Sequence, residues 1–164
     1  MIGLNPAIAA RLSQALAAGP HPTIALLSEL FMTLPGVRTV TWLATAPDHS
    51  VTHRIGTSDP IGFPIGGFDP IDDSAWNRRI FNEKRPVIGD TPELMAQFIP
   101  ETDQLVAMGY GATLCQPIII ANAVRGVVCL LGDAGIFTPG TLAEIDTLLP
   151  IAALVFSFEG ISAR

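Results

Sequence analysis

Residues 108–132 read MGYGATLCQPIIIANAVRGVVCLLG, and this stretch decides the fold. Thr113 to Ile120 and Gly126 to Leu131 are apolar runs of strand length with almost no alternation. Such runs suit strands covered on both faces, hence central ones. Ala121 to Arg125 reads as the turn between them. The two strands therefore form an antiparallel hairpin. Pro117 lacks an N–H for the ladder. It has to sit at a bulge or face a side without a partner. Cys115 and Cys129 fall on the two strands, nearly opposite each other if the turn centres on Asn122 and Ala123.

The rest of the chain supplies partners for this hairpin. Upstream, Val40, Trp42 and Ala44 alternate with Thr39, Thr41, Leu43 and Thr45. After the turn at Pro47-Asp48, Val51, His53 and Ile55 alternate with Thr52 and Arg54. Both read as half-buried antiparallel strands. Asn5 and Pro6 start a helix carrying the stripe Ile8, Leu12, Leu16, which Gly19-Pro20 ends. Pro22 starts a second, with Ile24, Leu27, Leu30, Phe31 and Leu34 on one side. Gly56 to Pro70 is rich in Gly and Pro, and loops of that length are often functional. Asp69 and Pro70 then read as the start of a helix carrying Ile71, Trp76 and Ile80. Pro86 to Gly89 is a short extended piece, and Thr91-Pro92-Glu93 begins another short helix. Thr138-Pro139, or Thr141 with Glu144 as a capping box, opens a last helix that Pro150 should kink. The order predicts an α+β fold: an antiparallel β-sheet with helices on both faces.

Composition narrows the class. The chain has 164 residues, about one domain's worth. Hydrophobic residues make up 49% and charged residues 15%, with mean hydropathy +0.45, the opposite of a disordered chain. The longest apolar candidate, Leu142 to Phe158, is broken by Glu144, Asp146 and Pro150, so no membrane span is expected. The first residues lack the basic start and apolar block of a signal peptide. The net charge of -6 and pI near 4.8 argue against a nucleic-acid partner. Two cysteines make no disulfide framework, and a cytoplasmic location is expected.

Roughly Thr23 to Phe158 resembles a GAF domain. Its clearest part is Met108-Gly-Tyr-Gly-Ala-Thr-Leu-Cys-Gln-Pro-Ile, followed by Arg125-Gly-Val-Val-Cys-Leu-Leu, then Phe137-Thr-Pro and an apolar helix. Asn82-Glu-Lys-Arg-Pro-Val-Ile-Gly-Asp resembles a further element of the family, although Glu83 or Lys84 stands where a glycine is usual. The resemblance implies helices from both chain ends on one sheet face. On the other face it implies a small-molecule pocket, beneath the middle helices and the long loop. It makes 1–164 a single GAF-like domain, with 1–20 a helix and 23–158 the core.

The candidate ligand-binding residues are Trp42, Phe68, Trp76, Tyr110 and Cys115, with Arg79 as a carboxylate partner. Phe63 and Phe98 belong to the same aromatic group. Asp69, Asp72 and Asp73 crowd the expected helix start and would repel a phosphate, which disfavours a cyclic nucleotide. The Asn-Lys-Phe-Asp-Glu signature of nucleotide-binding GAF domains is not recognisable. No Gly-x-Ser-x-Gly, His-Glu-x-x-His or P-loop motif is present, and His21, His49 and His53 lack a ligand set around them, so neither an enzyme nor a metal or cofactor is expected. The apolar stripes on the first and last helices, the latter with Leu148, Ile151, Val155 and Phe158 outward, predict a homodimer through the terminal helices. The expected function is a small-molecule sensor in signal transduction. Its output passes through another protein, or the chain is a fragment. The alternatives are a ligand-free interaction module and a cysteine-dependent redox enzyme resembling the free methionine sulfoxide reductases. The last is disfavoured because strand cysteines in apolar runs are usually inert.

Overall fold

The computed structural model describes residues 4–158. The ends of the expected 1–164 domain and 1–20 helix thus lie partly outside the described residues. The hairpin of β5 (Ala112–Ile120) and β6 (Ala123–Gly132) turns on two residues only. Ala121 and Asn122 both have left-handed backbones, φ 51° and 63°. Two successive left-handed residues make the tight turn whose twist matches that of the flanking strands. The turn is therefore shorter than the five residues read from sequence, and β6 begins three residues earlier.

The sheet has six antiparallel strands in the order β3-β2-β1-β6-β5-β4. Its remaining members are β1 (Val37–Thr45), β2 (Val51–Thr57), β3 (Gly66–Pro70) and β4 (Val87–Gly89). β1 and β6 are the central pair. β4 covers β5 only from Thr113 to Cys115, so Pro117 lies past its end, where no N–H is needed. Downstream of Thr57 the structure departs from the sequence reading. The Gly/Pro-rich segment is not one long loop: its second half pairs with β2 as edge strand β3, leaving 58–65 as the loop. Asp69 and Pro70 belong to that strand rather than to a helix start. The helix α3 (Ala75–Asn77) begins later, with the Ser74 hydroxyl accepting from the Asn77 N–H at 3.3 Å. It runs into a π-helical turn over Arg78–Asn82.

α1 (Pro6–Ala18), α2 (Pro20–Met32) and α6 (Pro139–Ala152) share one face of the sheet, and a 3-10 turn over Ala153–Ser157 continues α6 beyond Pro150. The expected caps form: Asn5 Oδ1 accepts from the Ile8 N–H at 2.9 Å, and Thr138 Oγ1 from the Thr141 N–H at 3.2 Å. Leu27, Phe31, Val40, Trp42, Leu130 and Ile145 fill the layer between sheet and helices. Each such burial stabilises by about 1.5–3 kcal/mol.

The terminal helices bear on the expected dimer seam. Leu12 is buried, and Ile8 and Leu16 pack on the same core. Leu148, Ile151 and Val155 point inward and are buried. The helix is turned relative to the sequence reading, because its 3.6-residue period runs through Pro150 and Ile145, Leu148, Ile151 and Ala152 make one inward stripe. Ala143 and Leu154 are exposed instead. By length and composition Pro139–Ser157 is also apolar enough to cross a membrane, with a mean hydropathy of 1.4 over its best window. Its inward stripe is part of this core.

On the opposite face lie α3, its π turn and α4 (Pro92–Met95), and α5 (Thr102–Ala107) packs on α4. The sequence reading has no helix at α5.

Candidate functional site

The face of the sheet away from the terminal helices is built by register. Directly paired residues in antiparallel strands share a face. Thr41 pairs with Cys129, Cys129 with Cys115, and Cys115 with Val87. Leu43 pairs with Val127 and with Arg54, and Thr45 with Thr52. Two elements cover these rows. Ile80, with Trp76, Phe81 and Phe98 around it, closes over Cys115, Cys129, Val124 and Val127. Beside it the loop 58–65 folds over the β1–β2 half. Asp59 Oδ1 shapes that loop by accepting the N–H groups of Ile61 and Gly62 at 3.2 and 3.0 Å.

Arg54 stands at the seam between the two covers. Its Nη1 donates to the Pro64 carbonyl at 3.0 Å, and its Cζ lies 5.7 Å from the Phe63 ring centre. Its Nε is buried without a hydrogen-bond partner, as is the Thr45 hydroxyl two positions along the same face. No carboxylate among the described residues pairs with Arg54 within 4.0 Å. An unpaired buried polar group costs about 1–3 kcal/mol, so proteins rarely keep two together.

The predicted site residues divide into two sets. Trp76, Tyr110 and Cys115 lie on this face. Tyr110 closes one end: its hydroxyl is 2.6 Å from Thr39 Oγ1, its ring centre is 6.0 Å from that of Phe63, and the Arg38 guanidinium sits 4.8 Å above it. The half-buried Trp76 packs against the cluster that holds Cys115. Trp42 is on the other side of the sheet. It is wholly buried, its Nε1 donates to Ser28 Oγ at 2.9 Å, and Phe31 and Phe156 flank it, each at 6.2 Å. Phe68 pairs with His53, which pairs with Ala44, so it too is on the terminal-helix side, stacked on His53 at 5.6 Å and largely exposed. Arg79 is held elsewhere: Nε donates to the Pro86 carbonyl at 3.0 Å and Nη1 to Glu83 Oε2 at 2.8 Å. It ties the π turn to the segment before β4. These three are corrections, and all follow from strand parity or local pairing.

Arg54, Thr45 and Cys129 are the additions. A signal for the first two is present in the sequence. Thr39, Thr41, Thr45, Thr52 and Arg54 form the polar half of two alternating strands. That half is buried, because the chain covers both faces. Burial and hydrogen bonding also split the two thiols. Donors from Cys129, Trp76 and Thr113 hold Cys115 below the usual thiol range, whereas Cys129, giving its proton toward Cys115, is pushed well up.

Two cavities lie elsewhere. One of about 510 Å³ opens between α2 and β2, lined by Ile24, Ser28, Ile55 and Ile65 among others. Another of about 420 Å³ lies by the β5–β6 turn, where Lys84 Nζ donates to the Asn122 carbonyl at 2.6 Å.

No family model and no curated protein matches the sequence. The architecture does match solved structures. The GAF domain of an Acinetobacter phosphoenolpyruvate-protein phosphotransferase superposes with a TM-score of 0.69 at 12% identity, covering 96% of this chain and 95% of that one. The chain has the GAF fold. The GAF domain of a two-component sensor histidine kinase from Bacillus halodurans gives 0.66 at 17% identity, over 82% and 90% of the two chains. The corresponding domain of a Coxiella burnetii phosphoenolpyruvate-protein phosphotransferase gives 0.68 at 16%, over 92% and 91%. The terminal helices on one face and the covered sheet on the other are thus the GAF arrangement that the hairpin motif implied.

Proposed function

We propose that this GAF domain is a sensory or regulatory module for a small carboxylate with an apolar body. The ligand enters between the loop 58–65 and α3. The Nε–Nη2 edge of Arg54 takes its carboxylate in a two-point contact, the Thr45 hydroxyl adds a donor, and Phe63 and Trp76 flank its apolar part. The observation that carries this reading is the buried, unpaired Nε of Arg54 on the same sheet face as the unpaired Thr45 hydroxyl. Binding re-seats the loop and α3, and a partner protein reads the change. Similar folds in a sensor kinase and in phosphotransferases support a signalling role. We further propose that the module works in the cytoplasm as a homodimer, with the outer side of α6 at Ala143 and Leu154 as the seam.

The test is thermal shift and native mass spectrometry with benzoate, phenylacetate and acetate, on wild type and Arg54→Gln. Saturable stabilisation by an aromatic carboxylate, lost in Arg54→Gln, is the expected result. Equal binding by both proteins would move the site to the α2–β2 cavity, with Ala25→Trp as the check. The packed cluster around Ile80, Cys115 and Val127 favours a second reading, a ligand-free interaction module. Under it none of the three acids shifts the melting temperature. The dimer reading fails if native spectra show monomer alone.

A further inference from the structure

The two thiols on the covered face do not depend on any ligand. Cys115 and Cys129 are direct partners in the β5–β6 register, both buried and both free. Directly opposed residues in an antiparallel pair have Cα atoms about 4.5–5.5 Å apart, inside the window of about 4.4–6.8 Å that a disulfide spans. Direct pairing puts the two side chains next to each other on the covered face, within one buried cluster. The groups facing them come from four elements: Thr113 Oγ1, 3.9 Å from Cys115, and Trp76, in the same cluster as both thiols, with Thr41 and Arg54 facing Cys129. Two free thiols paired directly across adjacent strands, within the span of a disulfide, are a pair that oxidation can join.

We propose that Cys115 and Cys129 are an oxidation site, closing to a reversible cross-strand disulfide when the chain meets hydrogen peroxide. The Cys115 thiolate attacks one peroxide oxygen. The O–O bond breaks, an S–OH forms, and the leaving hydroxide takes up a proton to become water. Cys129 then loses its proton and attacks the Cys115 sulfur. The S–O bond breaks, the S–S bond forms, and the departing oxygen leaves as a second water. Both sulfurs are oxidised and the peroxide is reduced: two thiols and one peroxide give one disulfide and two waters. Cys115 is the attacking thiol, because its surroundings hold it below the usual thiol range while burial and its neighbour push Cys129 up. Closure turns the Cys115 sulfur toward Cys129 within the cluster that Trp76 packs on, and so disturbs the packing of α3 on β5, the same cover that flanks Arg54.

The reduced full chain is treated with graded hydrogen peroxide and followed by intact mass, thiol titration after denaturation and tryptophan emission. A loss of about 2 Da within one chain, loss of both titratable thiols and restoration by dithiothreitol are expected. Cys129→Ser should trap a sulfenic acid at Cys115, labelled by dimedone about ten-fold more than any in Cys115→Ser. The emission change should vanish in Trp76→Phe, since Trp42 is on the other side of the sheet. Two thiols still titratable after exposure that fully oxidises free glutathione would overturn the proposal. So would disulfides only between chains, or mass gains of oxygen with no disulfide. Arg54→Gln is expected to lose carboxylate binding yet still form the disulfide, which keeps the two proposals separate.

Discussion

Gly126 offers a test in which packing and propensity predict opposite signs. It lies inside β6, paired with Ala44 and Ile118. Alanine normally stabilises a strand interior by about 0.5–1 kcal/mol relative to glycine. Here a Cβ would overlap ring carbons of Phe156 and stand 2.5 Å from the Leu43 carbonyl oxygen. The carbonyl belongs to the β1–β6 ladder and has little room to yield. Phe156 sits in the 3-10 turn after α6, so the ring is the part that gives way. Overpacking alone costs about 1–3 kcal/mol. Expelling a buried phenylalanine ring costs about 3–5 kcal/mol. We expect Gly126→Ala to destabilise by about 3–4 kcal/mol, which for a chain of this size lowers the melting temperature by roughly 10 °C. Equilibrium urea unfolding followed by tryptophan emission is the assay, because Trp42 lies 6.2 Å from Phe156 and registers its departure. Phe156→Ala makes the second arm. If the ring is the main obstacle, the double variant costs little more than Phe156→Ala alone. Full additivity of the two costs, or a Gly126→Ala protein as stable as wild type, would refute the packing account.

Three further outcomes are expected. Tyr110→Phe removes the partner of the buried Thr39 hydroxyl and should cost about 1–2 kcal/mol in urea unfolding, while Tyr110→Phe with Thr39→Val recovers part of that. Arg79→Ala should speed amide exchange over residues 83–85 and leave β5 and β6 protected, since its Pro86 contact is local. His53 has its pKa lowered by burial. Its folded state prefers the neutral ring, so stability is full above the unfolded value near 6.5 and falls as pH drops below it toward the folded value. Unfolding midpoints measured from pH 7.5 to 5 should decline in wild type and flatten in that window in His53→Gln.

The hairpin was legible because its pattern is local. Unbroken apolar runs, a turn and a paired cysteine spacing say strand, turn, strand without knowledge of the remaining chain. The same holds for the caps at Asn5 and Thr138 and for the α+β order. β3 was hidden, because Gly66–Pro70 is exposed and its composition reads as loop. Only pairing with β2 makes it a strand. The candidate site was half legible. Trp76, Tyr110 and Cys115 carried chemistry that sequence could single out, but aromaticity alone does not say on which side of a sheet a ring stands. Trp42 and Thr41 are neighbours in sequence and face opposite layers, one against Phe31 and Phe156 and the other beside Cys129.

By itself, then, the amino-acid order determined that this chain makes an antiparallel sheet with helices on both faces, since hydrophobic periodicity and turn chemistry act over a few residues. Tertiary structure alone decided which residues share the covered face. That depends on register and on a bulge between Trp42 and Leu43, and a shift of one residue in pairing moves every side chain to the other side. It is this parity that brings Arg54, Thr45, Cys115 and Cys129 to one surface and sends Trp42 and Phe68 to the other.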